Sequence, residues 1–173
     1  MPSARFVAAL LTLSFIGCTG TSTSSSSGAP ADAPDGQPEP SAVEAGTVTC
    51  QNDHRVDTYV ANLAKASQSG ALRVTLASID PAPPAIGTNG WTIRITDGSG
   101  TPMSNAPLTV TPFMPDHGHG SSIRAIVTPG SDGTYTVSPL YLFMPGVWRV
   151  TFALPAGDAG RAESVEFFFC IAG

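Results

Sequence analysis

The chain has 173 residues, with 13 acidic side chains against 8 lysines and arginines and a formal net charge of −5. That balance argues against a nucleic-acid partner, because phosphate backbones are held by clustered Lys and Arg. The apolar run Phe6 to Ile16 is too short to span a bilayer as a helix, so it reads as part of a targeting signal.

Residues 1–17 have the layout of such a signal. Arg5 supplies the positive start, Phe6 to Ile16 the apolar core, and Gly17 the small residue before Cys18. The run Leu13-Ser14-Phe15-Ile16-Gly17-Cys18 resembles a lipobox, with Phe15 standing where an aliphatic residue is usual. The resemblance implies that Cys18 is lipidated and anchors the chain to a membrane of a bacterial cell envelope. Thr19 follows it in place of an aspartate, which implies the outer membrane rather than the inner. An ordinary secretory signal with an incidental Cys18 is the alternative. Residues 18–46 are, apart from Cys18, Gln37 and Val43, Ser, Thr, Gly, Ala and Pro with four acids (Asp32, Asp35, Glu39, Glu44) and no basic residue. Such a segment buries too little apolar surface to offset its ordering entropy, and is expected to be a flexible tether.

Residues 47–173 amount to one domain. Its two cysteines, Cys50 and Cys170, lie near its ends in an oxidising compartment, so a disulfide is expected. A cysteine-containing metal site is the weaker alternative, since neither lies near the domain's histidine pair in sequence. After Cys50, the apolar residues Val56, Tyr59, Val60 and Leu63 recur at helical spacing. Asp53 can act as N-cap and Gly70 as terminator, which predicts one short helix. The period then changes to two. Alternation over Leu72–Leu76, Trp91–Ile95, Leu108–Thr111, Ile123–Val127, Thr134–Val137 (continuing toward Leu140), Val147–Leu154 and Ala162–Phe169 predicts seven strands. Turn residues such as Asp97-Gly98-Ser99-Gly100 and Ser131-Asp132-Gly133 separate them. The expected fold is mainly β, a seven-stranded antiparallel immunoglobulin-like sandwich with one N-terminal helix.

Phe113-Met114-Pro115-Asp116-His117-Gly118-His119-Gly120 holds two of the chain's three histidines. Imidazole nitrogen and thioether sulfur are ligands for copper and poor ones for calcium or magnesium. If successive strands reverse direction, the connections after predicted strands one, three and five share one end of the sandwich. Met144, in Phe143-Met144-Pro145-Gly146, then falls at the same end as Met114, His117 and His119, while Met103 goes to the other. Those four residues form the candidate metal site. Each has a plain structural alternative: a local turn for the histidines and gap-filling in the core for the methionines. Asp116 can orient an imidazole or stabilise the turn. His54 reads as a solvated surface residue.

Met114-Pro115-Asp116-His117-Gly118-His119-Gly120, then Gly133-Thr134-Tyr135, then Phe143-Met144-Pro145-Gly146-Val147-Trp148, resembles the YtkA-like or FixH-like domain over about Leu72 to Leu154. The resemblance implies an immunoglobulin-type sandwich in bacterial envelope proteins, many of them lipoproteins, with a suggested association with copper handling and cytochrome oxidase assembly. No serine sits in a nucleophile elbow and no carboxylate pair stands out beside a histidine, so an enzyme is not expected. A copper oxygenase built on a sandwich would, by resemblance to that class, carry a histidine at its mature amino terminus, where this chain has Cys18. The expected function is an envelope-anchored lipoprotein that binds copper as a carrier or scavenger. The alternative is a metal-free interaction module contacting an envelope protein partner.

Overall fold

The computed structural model describes residues 50–156 and 160–173. The signal peptide, Cys18 and the tether over 18–46 lie outside the described residues. Among the described residues nine strands form, in chain order, β1 (Ala64–Ala66), β2 (Leu72–Asp80), β3 (Gly87–Asp97), β4 (Thr109–Met114), β5 (His119–Gly120), β6 (Val127–Pro129), β7 (Thr134–Leu142), β8 (Gly146–Leu154) and β9 (Glu163–Ile171). They make two antiparallel sheets, one ordered β1-β2-β3-β7-β6 and the other β5-β4-β8-β9.

The period-two pattern explains the sheets. On β2, Leu72, Val74 and Leu76 are buried; on β3, Trp91, Ile93 and Ile95; on β8, Trp148, Val150 and Phe152; on β9, Val165, Phe167 and Phe169. These residues interdigitate in one core between the sheets. Trp91 joins the two layers, stacking 6.3 Å from Phe152 and meeting Phe169 edge-on at 5.6 Å. Truncating a side chain of that size in a close-packed core costs about 3–5 kcal/mol.

The predicted helix does not form: among the described residues there is no helix, and residues 50–63 run as turns and extended chain before β1. Val56, Thr58 and Val60 are β-branched and weaken a helix through their stiff χ1. Only Tyr59 and Leu63 of the supposed apolar face pack on the core, while Val60 is 56% exposed. The backbone is satisfied by the sheets instead. Asp57 N–H donates to Phe168 O at 2.8 Å, and Phe168 N–H donates to the Asp57 carboxylate at 2.8 Å. Asn62 N–H donates to Leu76 O at 3.1 Å, and Leu76 N–H donates to Leu63 O at 2.8 Å. The segment is a strap from β9 to β2, and it covers two strand edges that would otherwise be open.

The strap is also tied covalently. Cys50 and Cys170 form the expected disulfide, linking residues 120 apart in sequence. The strap meets β9 at Phe168, whose outer side is half-buried.

The predicted strand Ile123–Val127 is displaced to Val127–Pro129, and the short strands β1 and β5, which alternation did not reveal, raise the count among the described residues from seven to nine. Residues 121–126 cross from the edge of one sheet to the edge of the other, and no strand accompanies them there. Ala125 and Val127 still pack on the core, whereas Ile123 and Ile126 are 42% and 59% exposed.

Candidate functional site

The connections after β2, β4 and β7 meet at one end of the sandwich. Gly87, at the start of β3, pairs with Leu142, at the end of β7. Buried Asn89 holds the preceding loop, donating to Ala85 O at 2.9 Å and to Gly87 O at 3.1 Å. The β4–β5 turn is closed by Gly118 N–H donating to Met114 O at 2.9 Å. Gly118 has φ +70°, a left-handed backbone that glycine adopts without a Cβ clash. That turn fixes the spacing of the two histidines.

The end carries a chain of rings. His117 and His119 lie edge to face, with centroids 5.6 Å apart. His119 stacks on Phe143 at 5.5 Å and 24°. Phe143 meets buried Trp148 edge-on at 5.5 Å, and Trp148 Nε1–H donates to Met144 O at 2.9 Å. His117 is exposed and His119 half-buried, so the rings run from solvent to the core. Two imidazoles giving one nitrogen each to a common ion at about 2 Å hold their centroids roughly 5–6 Å apart, and the observed separation falls in that range.

The two methionines differ. Met144 is half-buried and packs against the edge of the core. Met114 is fully buried. Its Cε lies 2.7 Å from where a Cβ on Gly146 would stand, so Gly146 leaves the space that Met114 fills. Met114 is therefore a core side chain in this state, as its packing alternative anticipated. Met103 lies at the other end, as alternating strand direction required. Its N–H donates to Ile95 O at 3.1 Å, and its carbonyl accepts the Tyr135 hydroxyl at 2.7 Å.

Asp116 does not orient an imidazole. Arg55, on the strap, grips both its oxygens, Nη1 to Oδ1 at 2.7 Å and Nη2 to Oδ2 at 2.7 Å. The same guanidinium binds Asp53 through Nε at 2.9 Å and Nη2 at 2.6 Å. Its hydrogen bonds hold Asp116 below the usual carboxylate range, and Asp53 likewise; the two carboxylates together raise Arg55. Arg55 stands 61 residues from Asp116 in sequence, and sequence reasoning missed it because the strap was read as a helix. His54 is a surface residue, with its side chain 94% exposed.

Among the described residues, no three His, Cys, Asp or Glu side chains converge as a metal-holding group. A metal at this end would take the two imidazoles and need sulfur or water beside them. A groove of about 490 Å³ lies apart from the rings, lined by Leu108, Val110, Pro112, Ile123, Arg124 and Val127 among others. It exists because β5 pairs with β4 only at Phe113 and Met114, leaving Thr109–Pro112 without a strand on that side.

Neither the curated proteins nor the solved structures include a match to this chain. A family model for the YtkA-like domain matches residues 66–153, which takes in β2 to β7, β8 up to its last residue, the His-Gly-His turn and Phe143-Met144-Pro145-Gly146. The chain belongs to the YtkA-like family.

Proposed function

We propose that this protein binds copper at the ring-lined end of its sandwich, as a carrier or scavenger held at the cell envelope. The observation that carries the reading is the His117–His119 pair, with its 5.6 Å centroid separation on a glycine turn. His117 and His119 would be the principal ligands. Half-buried Met144 would supply a thioether, and Met114 would add a second sulfur only on moving out of the core, where it is packed in this structure. That nitrogen and sulfur set suits copper(I), and the two imidazoles with water suit copper(II). Phe143 fixes the His119 ring by stacking and excludes water from one of its faces. Anchoring rests on the sequence of residues 1–18. Replacing Cys18 by Ser is expected to move the protein from the membrane fraction to the soluble one, since the lipid would be the anchor. Copper uptake by the purified protein tests the site, with His117→Ala/His119→Ala expected to remove it.

A second reading, an interaction module without metal, is favoured by the open side of β4 and the exposed Ile123 and Ile126. An extended segment of an envelope protein could add to that edge as a strand. This reading predicts that the protein takes up no copper and that charged substitutions at Ile123 and Ile126 abolish association.

A further inference from the structure

Asp116 is adjacent in sequence to one histidine of the turn and three residues from the other. Two imidazoles and one carboxylate form a familiar donor set for zinc and other divalent ions. Freed, Asp116 would bring such a set within one tetrapeptide. In the structure both its oxygens are engaged by Arg55 at 2.7 Å. Arg55 is itself held from behind by Asp53, whose Oδ1 also accepts Arg55 N–H at 2.9 Å. A guanidinium presents its donors in a planar fork that matches a carboxylate, so the grip has a fixed direction as well as a charge.

We propose that Arg55 biases metal selectivity at this end of the molecule against divalent ions by keeping the Asp116 carboxylate out of the ligand set. The turn is left with its two imidazoles, beside which the half-buried Met144 of the β7–β8 connection is the candidate sulfur donor, a set that suits copper(I) better than divalent ions. This rests on the copper reading of the same site. Arg55 touches no imidazole; it acts through Asp116 and is a positioning residue. The effect is modest, because the Arg55 and Asp116 side chains are 30% and 49% exposed and exposed pairs are worth up to about 1 kcal/mol. That corresponds to about a fivefold change in affinity.

The test is calorimetric titration of the full chain with zinc ion alone, and separately with copper(I) against a competing chelator. Four forms are compared: the natural chain, Arg55→Gln, Asp116→Asn and the double variant. Arg55→Gln is expected to tighten zinc binding about fivefold and to leave copper(I) affinity within about twofold. In the double variant the zinc gain should vanish. If Arg55→Gln fails to fold, as near-UV dichroism would reveal, Arg55→Lys carries the same comparison, since lysine keeps the charge but cannot hold both oxygens. Zinc affinity unchanged by loss of the fork, or a gain that survives Asp116→Asn, overturns the proposal. Absence of copper(I) uptake by the natural chain sinks the copper reading instead, and the zinc comparison separates the two failures.

Discussion

The two ends of the sandwich are built from the same strands but closed in different ways. At the Met103 end, backbone and one buried phenol do the work. Tyr135 donates to Met103 O and accepts from Ala106 N–H, both at 2.7 Å, and Gly133 fits where a Cβ would meet Ile95 O at 2.5 Å. At the other end, side chains close the structure: a ring chain from exposed His117 to buried Trp148, and an arginine held between two carboxylates. A polar group committed to an internal partner is structural. Imidazole nitrogens at the surface remain available to a ligand. The difference teaches that residue type alone does not mark a site, since both ends carry a methionine.

Breaking the strap should produce the largest effect. Closing a loop of 120 residues constrains the unfolded chain by about 4–5 kcal/mol in the chain-entropy model. Cys50→Ser/Cys170→Ser should therefore lower stability by up to that amount in denaturant titration. A loss well under 1 kcal/mol would mean that the strap's hydrogen bonds, and not its covalent tie, hold β9 to β2. The Met103 end comes next. Tyr135→Phe leaves a carbonyl and an N–H without their partner, which costs about 1–3 kcal/mol. It should do so without changing metal binding, since it lies at the far end.

Acid sharpens the comparison. Asp53 and Asp116 have folded pKa values below the ordinary 3.8, chiefly through hydrogen bonds from Arg55. A carboxylate lowered in this way contributes stability above its unfolded value and loses it as pH falls through the folded one. The Arg55 grip is therefore fully present at neutral pH and weakens only below about pH 4. Hydrogen exchange should then show residues 53–57 and 115–118 loosening together in acid, while the Met103 end stays protected. Loosening of one segment without the other would break the link between strap and turn.

Most of the fold was legible because alternation is a local signal. Leu72-Arg73-Val74-Thr75-Leu76 needs no distant residue to be read as a strand. Residues 53–63 were misread because their i, i+3, i+4 apolar spacing is compatible with a helix, whereas the groups that satisfy their backbone, Phe168 and Leu76, are remote in sequence. Strand parity brought Met114, His117, His119 and Met144 to one end and sent Met103 to the other. It could not tell that Met114 is sealed in the core, because burial there depends on Gly146 across the β4–β8 gap. Nor could it supply Arg55, or the stacking of Phe143 on His119.

Copper(I) titration of the purified protein, run beside His117→Ala/His119→Ala and Met103→Leu, decides between a metal site and a structural turn. The expected result is uptake by the natural chain, the same affinity in Met103→Leu, and loss of binding in the double histidine variant. That variant should lose no more than about 1–2 kcal/mol of stability, since His117 is exposed and half-buried His119 gives up chiefly its stacking on Phe143. No uptake of copper in either oxidation state, or uptake that survives removal of both histidines, would contradict the assignment of this end as a metal site.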